Sequence, residues 1–504
     1  MSLHRDRLEL SDGERIRRYA VPSWMIAECT AARERGDWRA ACEAALIDVT
    51  FDDPGPVAGL LAGFAPDLLR WHLPRAMGGT VHLVGWRSYL LAGDGPVRPD
   101  TTVLMVRTPE TSNGANRLTL DAVRAGDIEG RSICPLPPYL WDARRAGELP
   151  HTGAAGPADG DAALAEAWTA AGWELDEDGF RAWRRWHLSL LRSLDPVLAA
   201  RELRRISAQF GRRSWVLQER WGVSELCLLA SGDRIRVTVP ASRPAETNGA
   251  ELRLLPDMLR PPIDRALIEA GRLDPADLHP LVRDVLAPGV TGDPDPSFVP
   301  AGLLDERVFR VRCRGVWHWV SVRAGRLELP EHSDDERQRE LSLQAFGGEI
   351  GGCFKADLGW RGRARWLPRA LREHRRDLWL RLESGGPRVV TALLDAGLEP
   401  RLCDGGGRTL VHLLGAFGDP AVLPRLLAAG LDVDARDREG ITPLFEALTR
   451  RWPIELIIAL VDAGADPRLP VQGVSPLKYL KTLTNRDMTP GLTAALAYLR
   501  GKKA

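Results

Sequence analysis

A repeated spacing of roughly 33 residues runs through the last part of the chain and constrains its fold more than any other feature. Gly397, Gly430 and Gly464 recur at nearly equal intervals. Further columns recur at the same interval, namely Gly407, Gly440 and Gly473, Asp404 and Asp437, and Thr409 and Thr442. Each period holds two short apolar helical patterns and a turn. Such a period predicts an α-helical array of stacked units, because one unit cannot bury its own apolar face.

The segment DREGITPLFEAL, followed by IELIIALVDAGADP, is the most complete copy of this period. It resembles an ankyrin repeat, whose pattern is D-x-x-G-x-T-P-L-H-x-A and then a second helix ending in L-L-x-x-G-A-D. The matching residues are Asp437, Gly440, Thr442, Pro443, Leu444, Ala447, Gly464, Ala465 and Asp466. The motif's His position is occupied by Phe445 here and by His412 one period earlier. We expect about four such units over 371–504, about a quarter of the chain, with atypical units at both ends.

The residues of this motif also predict local structure. Thr442 is expected to cap the first helix of its unit, with Pro443 at the first helical position, where a missing N–H costs nothing. Gly464 is expected to adopt the left-handed conformation after the second helix.

The ankyrin resemblance implies a protein-binding or scaffold function through the concave face and the hairpin tips. The tip residues that would contact a partner are Arg401, Leu402, Asp404, Asp434, Arg436, Arg438, Glu439 and Arg468. The partner is a protein whose identity the sequence does not specify. An alternative occupant of this surface is the protein's own N-terminal part.

The N-terminal part is expected to be α+β and internally duplicated, so that the whole chain is multidomain. RTPETSNGA at 107–115 matches SRPAETNGA at 242–250, and PPYLWDARRAGEL at 137–149 matches PPIDRALIEAGRL at 261–273. We expect a helical hairpin plus a first α+β unit over 1–150, a second copy over 151–300, and a β-hairpin plus helix over 301–370. The stretches GDWRAAC and APDLLRWHLPR resemble uncharacterised actinobacterial ankyrin-containing proteins, which implies no activity.

Charge and cysteine usage bear on partners and location. Lys plus Arg and Asp plus Glu both number 68, and the pI is near 7.2, which disfavours a nucleic-acid-binding function for the whole chain. The seven cysteines are widely spaced and form no CxxC pair, as expected for reduced thiols in a cytoplasmic protein. We expect no signal peptide and no membrane-spanning segment.

The sequence contains none of the common catalytic or nucleotide-binding motifs, so we expect no enzymatic activity, no cofactor and no metal site. GGEIGGC at 347–353 is interpreted as a turn rather than a phosphate-binding loop. Cys353 is a candidate nucleophile with His332 as its partner, although a buried thiol is the favoured interpretation. His72 and His187 lack a second ligand at helical spacing and are interpreted as core histidines.

Two alternatives to a binding protein remain open. The first is an enzyme in the duplicated units, with Asn113 and Asn248 at equivalent loop tips; Asn-Gly is also a strong turn signal on its own. The second is nucleic-acid association through 359–376, where Arg and Trp interleave, since bases can stack on such aromatic side chains. An Arg-rich helical face is the favoured interpretation of that stretch.

Overall fold

The computed structural model describes most of the chain as two compact units, residues 1–109 with 117–296 and residues 110–116 with 297–504. The described residues are 2–76, 80–109, 116–128, 133–150, 161–175, 185–218, 225–232, 234–238, 252–362, 364–483 and 488–501. Asn113 and Asn248 lie outside these described residues. One of the boundaries between the two units, at 296/297, lies close to residue 300, the predicted end of the second α+β unit.

The first unit contains two five-stranded sheets. The strands of the first are β1 (Ile47–Val49), β2 (Ser88–Leu91), β3 (Thr102–Arg107), β4 (Leu118–Arg124) and β5 (Ile133–Pro135). Those of the second are β6 (Trp173–Leu175), β7 (Ser214–Gln218), β8 (Glu225–Ser231), β9 (Arg234–Thr238) and β10 (Arg253–Leu254).

The two sheets have the same strand order and the same strand directions. The first runs β1-β4-β3-β2-β5 and the second β6-β9-β8-β7-β10. In each, three consecutive antiparallel strands form the centre, and a parallel strand lies at either edge. The edge strands β5 and β10 approach each other at a parallel bridge between Ile133 and Leu252.

One of the two sequence matches does not join equivalent positions of these sheets. The segment 107–115 follows β3 and precedes β4, whereas 242–250 lies between β9 and β10. In strand order, the counterpart of the β3–β4 connection is the β8–β9 connection, so the alignment of these two segments was wrong. A 3₁₀ turn follows the last strand of each sheet, at Pro138–Leu140 and Pro256–Leu259.

Helices surround both sheets. Their bounds are Ser2–Tyr19, Ser23–Glu34, Trp38–Ala44, Ala58–Leu61, Pro66–His72, Asp161–Ala170, Arg185–Arg192, Pro196–Phe210, Ile263–Glu269 and Pro280–Leu286. The Asp37 side chain caps the helix Trp38–Ala44 by accepting a hydrogen bond from the Ala40 N–H at 3.0 Å.

Tryptophans anchor the core of the second sheet. Trp168 and Trp173 meet edge to face at 4.7 Å, and both are buried with Trp215. The Trp215 indole N–H donates to the Ser207 hydroxyl at 2.9 Å, so its polar atom has a partner inside the core. Ser207 belongs to the helix Pro196–Phe210, which Asp195 caps and Gly211 ends with φ +62°.

The second unit begins with an antiparallel sheet of β11 (Arg307–Cys313), β12 (Val316–Arg323) and β13 (Arg326–Glu328). The sequence predicted a β-hairpin here, and the structure has three strands, joined by two-residue turns at Arg314-Gly315 and Ala324-Gly325. The helices Asp334–Ala345 and Gly352–Trp360 follow. Ser333 and Glu336 form a capping box at the start of the helix Asp334–Ala345.

Pairs of short helices make up the rest of this unit. Their bounds are Arg369–Asp395, with a break at Gly386, Leu410–Leu413 (3₁₀), Leu414–Phe417, Val422–Ala428, Pro443–Thr449, Ile454–Asp462, Pro476–Thr482 and Pro490–Gly501. Both glycine columns have positive φ, from +78° at Gly440 to +99° at Gly464. The expected cap at Thr442 is also confirmed, since its hydroxyl accepts from the Phe445 N–H at 3.3 Å.

Candidate protein-binding surface

The turns between successive helix pairs have one shared geometry. In the first, Asp404 accepts hydrogen bonds from the N–H groups of Gly406 and Arg408, at 2.7 and 2.8 Å. In the next, Asp437 accepts from Glu439 and Ile441 at 2.9 and 2.8 Å. In both turns the aspartate carboxylate therefore accepts from backbone N–H groups in place of a backbone carbonyl and fixes the loop, as Asp side chains do in Asx turns.

Hydrogen bonds also join each turn to the next one. The Arg438 N–H donates to the Gly406 carbonyl at 2.9 Å, and the Asp466 N–H donates to the Asp434 carboxylate at 3.1 Å. The turns therefore line up as a row along one side of the helix pairs.

His412 forms a further link between two turns. Its Nδ1 accepts from the Thr409 N–H at 3.1 Å, and its Nε2 lies 3.1 Å from the Ile441 carbonyl. Burial lowers the pKa of His412 below its usual value and outweighs the carbonyl contact that raises it. A neutral imidazole with its proton on Nε2 satisfies both contacts.

Most of the predicted tip residues reach the surface. Exposed side chains belong to Arg401, Arg436, Arg438, Glu439 and Arg468, and Asp404 and Asp434 are partly exposed. Leu402 is the exception, since only 2% of it is exposed. The adjacent Cys403 thiol contacts the Trp360 carbonyl at 3.4 Å, so this segment faces the preceding helix instead of solvent. Leu402 was wrongly assigned to the tips.

Arg438 differs from the other exposed tip residues because its guanidinium donates to three backbone carbonyls. It donates to the carbonyls of Gly362, at 3.2 Å, and of Ala364 and Gly405. Arg436 makes one such contact, with the Pro470 carbonyl at 3.2 Å. Arg438 therefore acts first as a structural residue of this surface.

The stretch 359–376 splits into buried and exposed parts. Trp360 is buried and donates from its indole N–H to the Gly325 carbonyl at 2.9 Å, while Trp366 is exposed. Arg375 is buried and donates to the carbonyls of Gly359 and Trp360 at 2.6 and 3.2 Å. Two of the residues expected to stack on bases or contact phosphate thus hold the start of the helix array in place.

A cleft of about 490 Å³ in the first unit bears on the enzyme alternative. Three of its lining arginines already have partners. Arg17 is paired with Asp264 at 2.6 Å, Arg75 donates to the Val81 carbonyl at 3.0 Å, and Arg260 donates to the Ser193 hydroxyl at 2.9 Å. Burial lowers the pKa of the lining residue His72 to about 3, so its imidazole is neutral.

Buried ion pairs lie next to this cleft. Asp67 meets Arg33 and His279, each at 3.0 Å. Burial would raise the pKa of the Asp67 carboxyl, but His279 and Arg33 lower it more, and its pKa ends below the usual value. Arg17 has the same net effect on the pKa of buried Asp264. Since Asp67, Asp264 and His279 are fully buried, we interpret these pairs as structural.

One group of side chains that the sequence analysis did not bring together could hold a metal ion. It consists of Cys313, His318, His332 and Cys353, with their ligand atoms within 4.8 Å of one another. The candidate pair of Cys353 and His332 is thus close in space. Burial and the adjacent Cys313 thiol raise the pKa of Cys353 to about 12, so an unligated Cys353 is a protonated thiol and a poor nucleophile.

Comparisons with known proteins relate a short part of the chain to ankyrin-repeat proteins. NF-kappa-B inhibitor delta of Mus musculus is 35% identical over 20% of this chain and 30% of its own length. An ankyrin repeat-containing protein of Schizosaccharomyces pombe is 35% identical over 14% of the chain and 33% of its own length. Neurogenic locus notch homolog protein 4 of Homo sapiens is 34% identical over 22% of the chain and 6% of its own length.

These relatives support ankyrin repeats in about a fifth of the chain, and with them a general role in protein interaction. The chain spans only about a third or less of the length of each of them. No protein-family model matches the chain. Among the helices that the structure describes, none combines the length and the apolar character needed to cross a membrane.

Proposed function

We propose that the helix pairs over 371–504 are the ankyrin repeats and that the row of turn tips binds a partner protein. The proposal is supported by the relatives, by the shared turn geometry at Asp404 and Asp437, and by the positive φ of both glycine columns. Stacked repeats of this kind offer an extended surface built from equivalent positions, which suits recognition of another macromolecule.

The observation that carries the proposal is the row of exposed charged tips on ordered turns. Arg401, Arg436, Glu439 and Arg468 reach solvent, and the backbone N–H groups of Arg401, Glu439 and Arg468 donate to carboxylates within their own turns. Arginine is enriched at interfaces because its planar guanidinium pairs with carboxylates in a bidentate geometry. We therefore propose that the partner presents carboxylates to the tips.

The test compares two charge reversals in the full-length protein. Arg468 lies at a turn tip, and Arg500 lies near the end of the last helix; both are exposed. Proteins captured from a lysate of the source cells would be quantified for wild type, Arg468→Glu and Arg500→Glu. We expect the partner to be captured at least about tenfold less by Arg468→Glu, a loss of about 1.4 kcal/mol. Equal loss with Arg500→Glu, or no loss with either variant, would contradict binding through the tips.

We further propose that the first unit arose by duplication of one α+β module, with 1–150 and 151–300 as the two copies. The shared order and directions of two five-stranded sheets support it. We also propose that 301–370 is a separate module that precedes the repeats. An enzymatic role for the paired modules is the second candidate, and its motivation is the 490 Å³ cleft beside the buried ion pairs. Screening the protein for hydrolase and transferase activity, with Arg260→Ala as the control, tests that role.

A further inference from the structure

Four metal-ligating side chains converge in the second unit, outside the tip surface. Cys313 ends β11, His318 lies on β12, His332 precedes the helix Asp334–Ala345, and Cys353 is in the first turn of the helix Gly352–Trp360. Their ligand atoms lie within 4.8 Å of one another. Both cysteines are buried, and only 8% of the His332 side chain is exposed. Among the residues that the structure describes, no other group of three or more Cys, His, Asp and Glu has this geometry.

The backbone is shaped to bring the two thiols together. Strand register places Cys313 opposite Val316 and Val311 opposite His318, so Cys313 and His318 share one face of the hairpin. A Cβ at Gly352 would overlap the Arg312 carbonyl oxygen, and one at Gly351 would lie 2.7 Å from the Cys313 sulfur. Glycine at both positions therefore lets the helix start against the end of β11, which accounts for the second glycine pair of GGEIGGC.

Hydrogen bonds around the group fix this arrangement. The buried Glu340 carboxylate accepts from the Gly351 N–H at 2.8 Å and pairs with Arg314 in the β11–β12 turn. It thereby ties the hairpin that carries Cys313 to the loop that leads to Cys353. The Trp319 N–H, next to His318, donates to Glu331 at 3.1 Å.

The two imidazoles point ring nitrogens at each other. Nδ1 of His318 lies 2.8 Å from Nε2 of His332. The other nitrogen of His332, Nδ1, lies 3.4 Å from the Glu336 carboxylate. A carboxylate behind a histidine is the usual arrangement for metal-ligating imidazoles, because it fixes the tautomer whose free nitrogen faces the ion.

The ligand set selects the metal. Two thiols and two imidazoles form a Cys₂His₂ set, which suits Zn²⁺ in a closed four-coordinate structural site. With Zn–S of about 2.3 Å and Zn–N of about 2.0–2.1 Å, tetrahedral ligand atoms lie about 3.3–3.8 Å apart. The widest spacing in the group would have to shrink by about 1 Å, and the two imidazole nitrogens, now 2.8 Å apart, would have to separate by about 0.5 Å to reach that geometry.

We propose that Cys313, His318, His332 and Cys353 bind one Zn²⁺ that joins the β11–β12 hairpin to the helix Gly352–Trp360. Binding releases the protons of the two thiols to solvent and leaves no open coordination position, so the ion is structural. The site does not depend on the proposed tip surface.

Metal content of the full-length protein is the first measurement. Protein produced with zinc in the medium is expected to contain one zinc per chain by mass spectrometry of the metal. Replacement by Co²⁺ is expected to give thiolate-to-cobalt charge-transfer absorption and the strong d–d bands of tetrahedral coordination. A wild-type protein with no stoichiometric zinc and no such Co²⁺ spectrum would overturn the proposal without reference to any variant.

Matched variants test the assignment of the ligands. Cys353→Ser and His332→Gln are expected to lose the stoichiometric zinc and the tetrahedral Co²⁺ spectrum. The controls lie in the same unit but outside the group: buried Cys403→Ser and half-buried His374→Gln are expected to keep both. A chelator is expected to lower the Tm of wild type and controls but not that of folded ligand variants. Zinc retained by both ligand variants, or recovery of Cys313 and Cys353 as a disulfide from protein kept under reducing conditions, would contradict a zinc site.

Discussion

The helix pairs of the second unit and the two sheets of the first differ in how far along the chain their contacts reach. His412 meets Ile441 across 29 residues, and Asp434 meets Asp466 across 32, about one period in each case. In the first unit, Arg17 meets Asp264 across 247 residues and His279 meets Asp67 across 212. The helix pairs are therefore joined mainly by contacts between neighbouring pairs, although Arg438 also reaches Gly362 across 76 residues, whereas the sheets are joined by contacts between segments remote in sequence.

This difference determines how far along the structure the effect of a destabilising substitution should extend. In a repeat array, stability is approximately a sum of unit terms and terms between adjacent units, so a defect affects its neighbours first. In the first unit, ion pairs and strand pairs connect the beginning, middle and end of the same body, so a defect should be felt throughout. The following predictions test that contrast, beginning with the largest expected effect.

Core truncations should give the largest effects and the clearest contrast. Trp215→Ala, in the core of the second sheet, is expected to cost about 3–5 kcal/mol, and Leu460→Ala, in the helix Ile454–Asp462, about 2–5 kcal/mol. Both residues are 1% exposed or less. In native-state hydrogen exchange, we expect Trp215→Ala to lower amide protection across the first unit. Leu460→Ala should lower it only over the adjacent helix pairs. If the two substitutions lowered amide protection over equally wide regions, the proposed difference between the first unit and the helix pairs would be contradicted.

Lowering the pH should change the stability contributed by buried carboxyls in opposite directions in the two regions. The folded-state pKa values of Asp67 and Asp264 are lowered, so their contribution is present above about pH 4 and is lost as pH falls through the folded values. Burial raises the pKa of Glu446 in the repeats and outweighs Arg450 and Arg408. Its contribution is therefore greatest below about pH 4 and is lost as pH rises through the folded value.

Variants of these carboxyls make the acid test specific. Asp67→Asn is expected to cost about 1–3 kcal/mol at neutral pH and to reduce the acid sensitivity of the first unit. Glu446→Gln is expected to remove the loss of stability with rising pH that Glu446 causes in the helix pairs. Denaturant unfolding between pH 3 and pH 7, followed by unit-resolved hydrogen exchange, measures both. An unchanged pH profile in Asp67→Asn would rule out this ion pair as the source of the dependence.

Glycine substitutions should give the smallest effect, and they test whether local backbone conformation contributes to the stability of the helix pairs. Gly464 has φ +99°, so Gly464→Ala is expected to cost about 1–2 kcal/mol. Gly491 lies in a helix, and a Cβ added there would have no atom within 4 Å. Gly491→Ala should therefore be neutral or stabilise by up to about 1 kcal/mol. Thermal unfolding of the two variants checks the sign, and similar losses in both would argue against a conformational origin.

The repeats were largely predictable because their determinants are local. Thr442, Ser475 and the glycine columns act within a few residues, so the sequence suffices to place caps and left-handed turns. Burial of Leu402 was missed; the adjacent Cys403 contacts the Trp360 carbonyl of the helix Gly352–Trp360, which belongs to an earlier part of the chain. The break at Gly386, with φ +70° and Pro387 after it, divides the first helix pair at a point where no motif residue stands.

The sheets and the Cys–His group were less predictable because they depend on pairing between distant segments. Repetition was visible in the sequence, but the order of the strands was not, and one of the two alignments joined different connections. The spacing Cys-x₄-His-x₁₃-His-x₂₀-Cys matches no short motif. Only the close approach allowed by Gly351 and Gly352 brings Cys353 to Cys313. The one available signal was the glycine pair directly before a cysteine.

The carbonyl contacts of Arg438 have a consequence for binding energetics. Its guanidinium holds the tip around Asp437 to the preceding turn and to the carbonyls of Gly362 and Ala364 before any partner arrives. Ordering of a flexible loop normally subtracts from affinity as lost conformational entropy. A partner of the proposed tip surface would meet a loop whose conformational entropy has already been lost during folding, and its affinity should depend on complementary shape more than on adaptation.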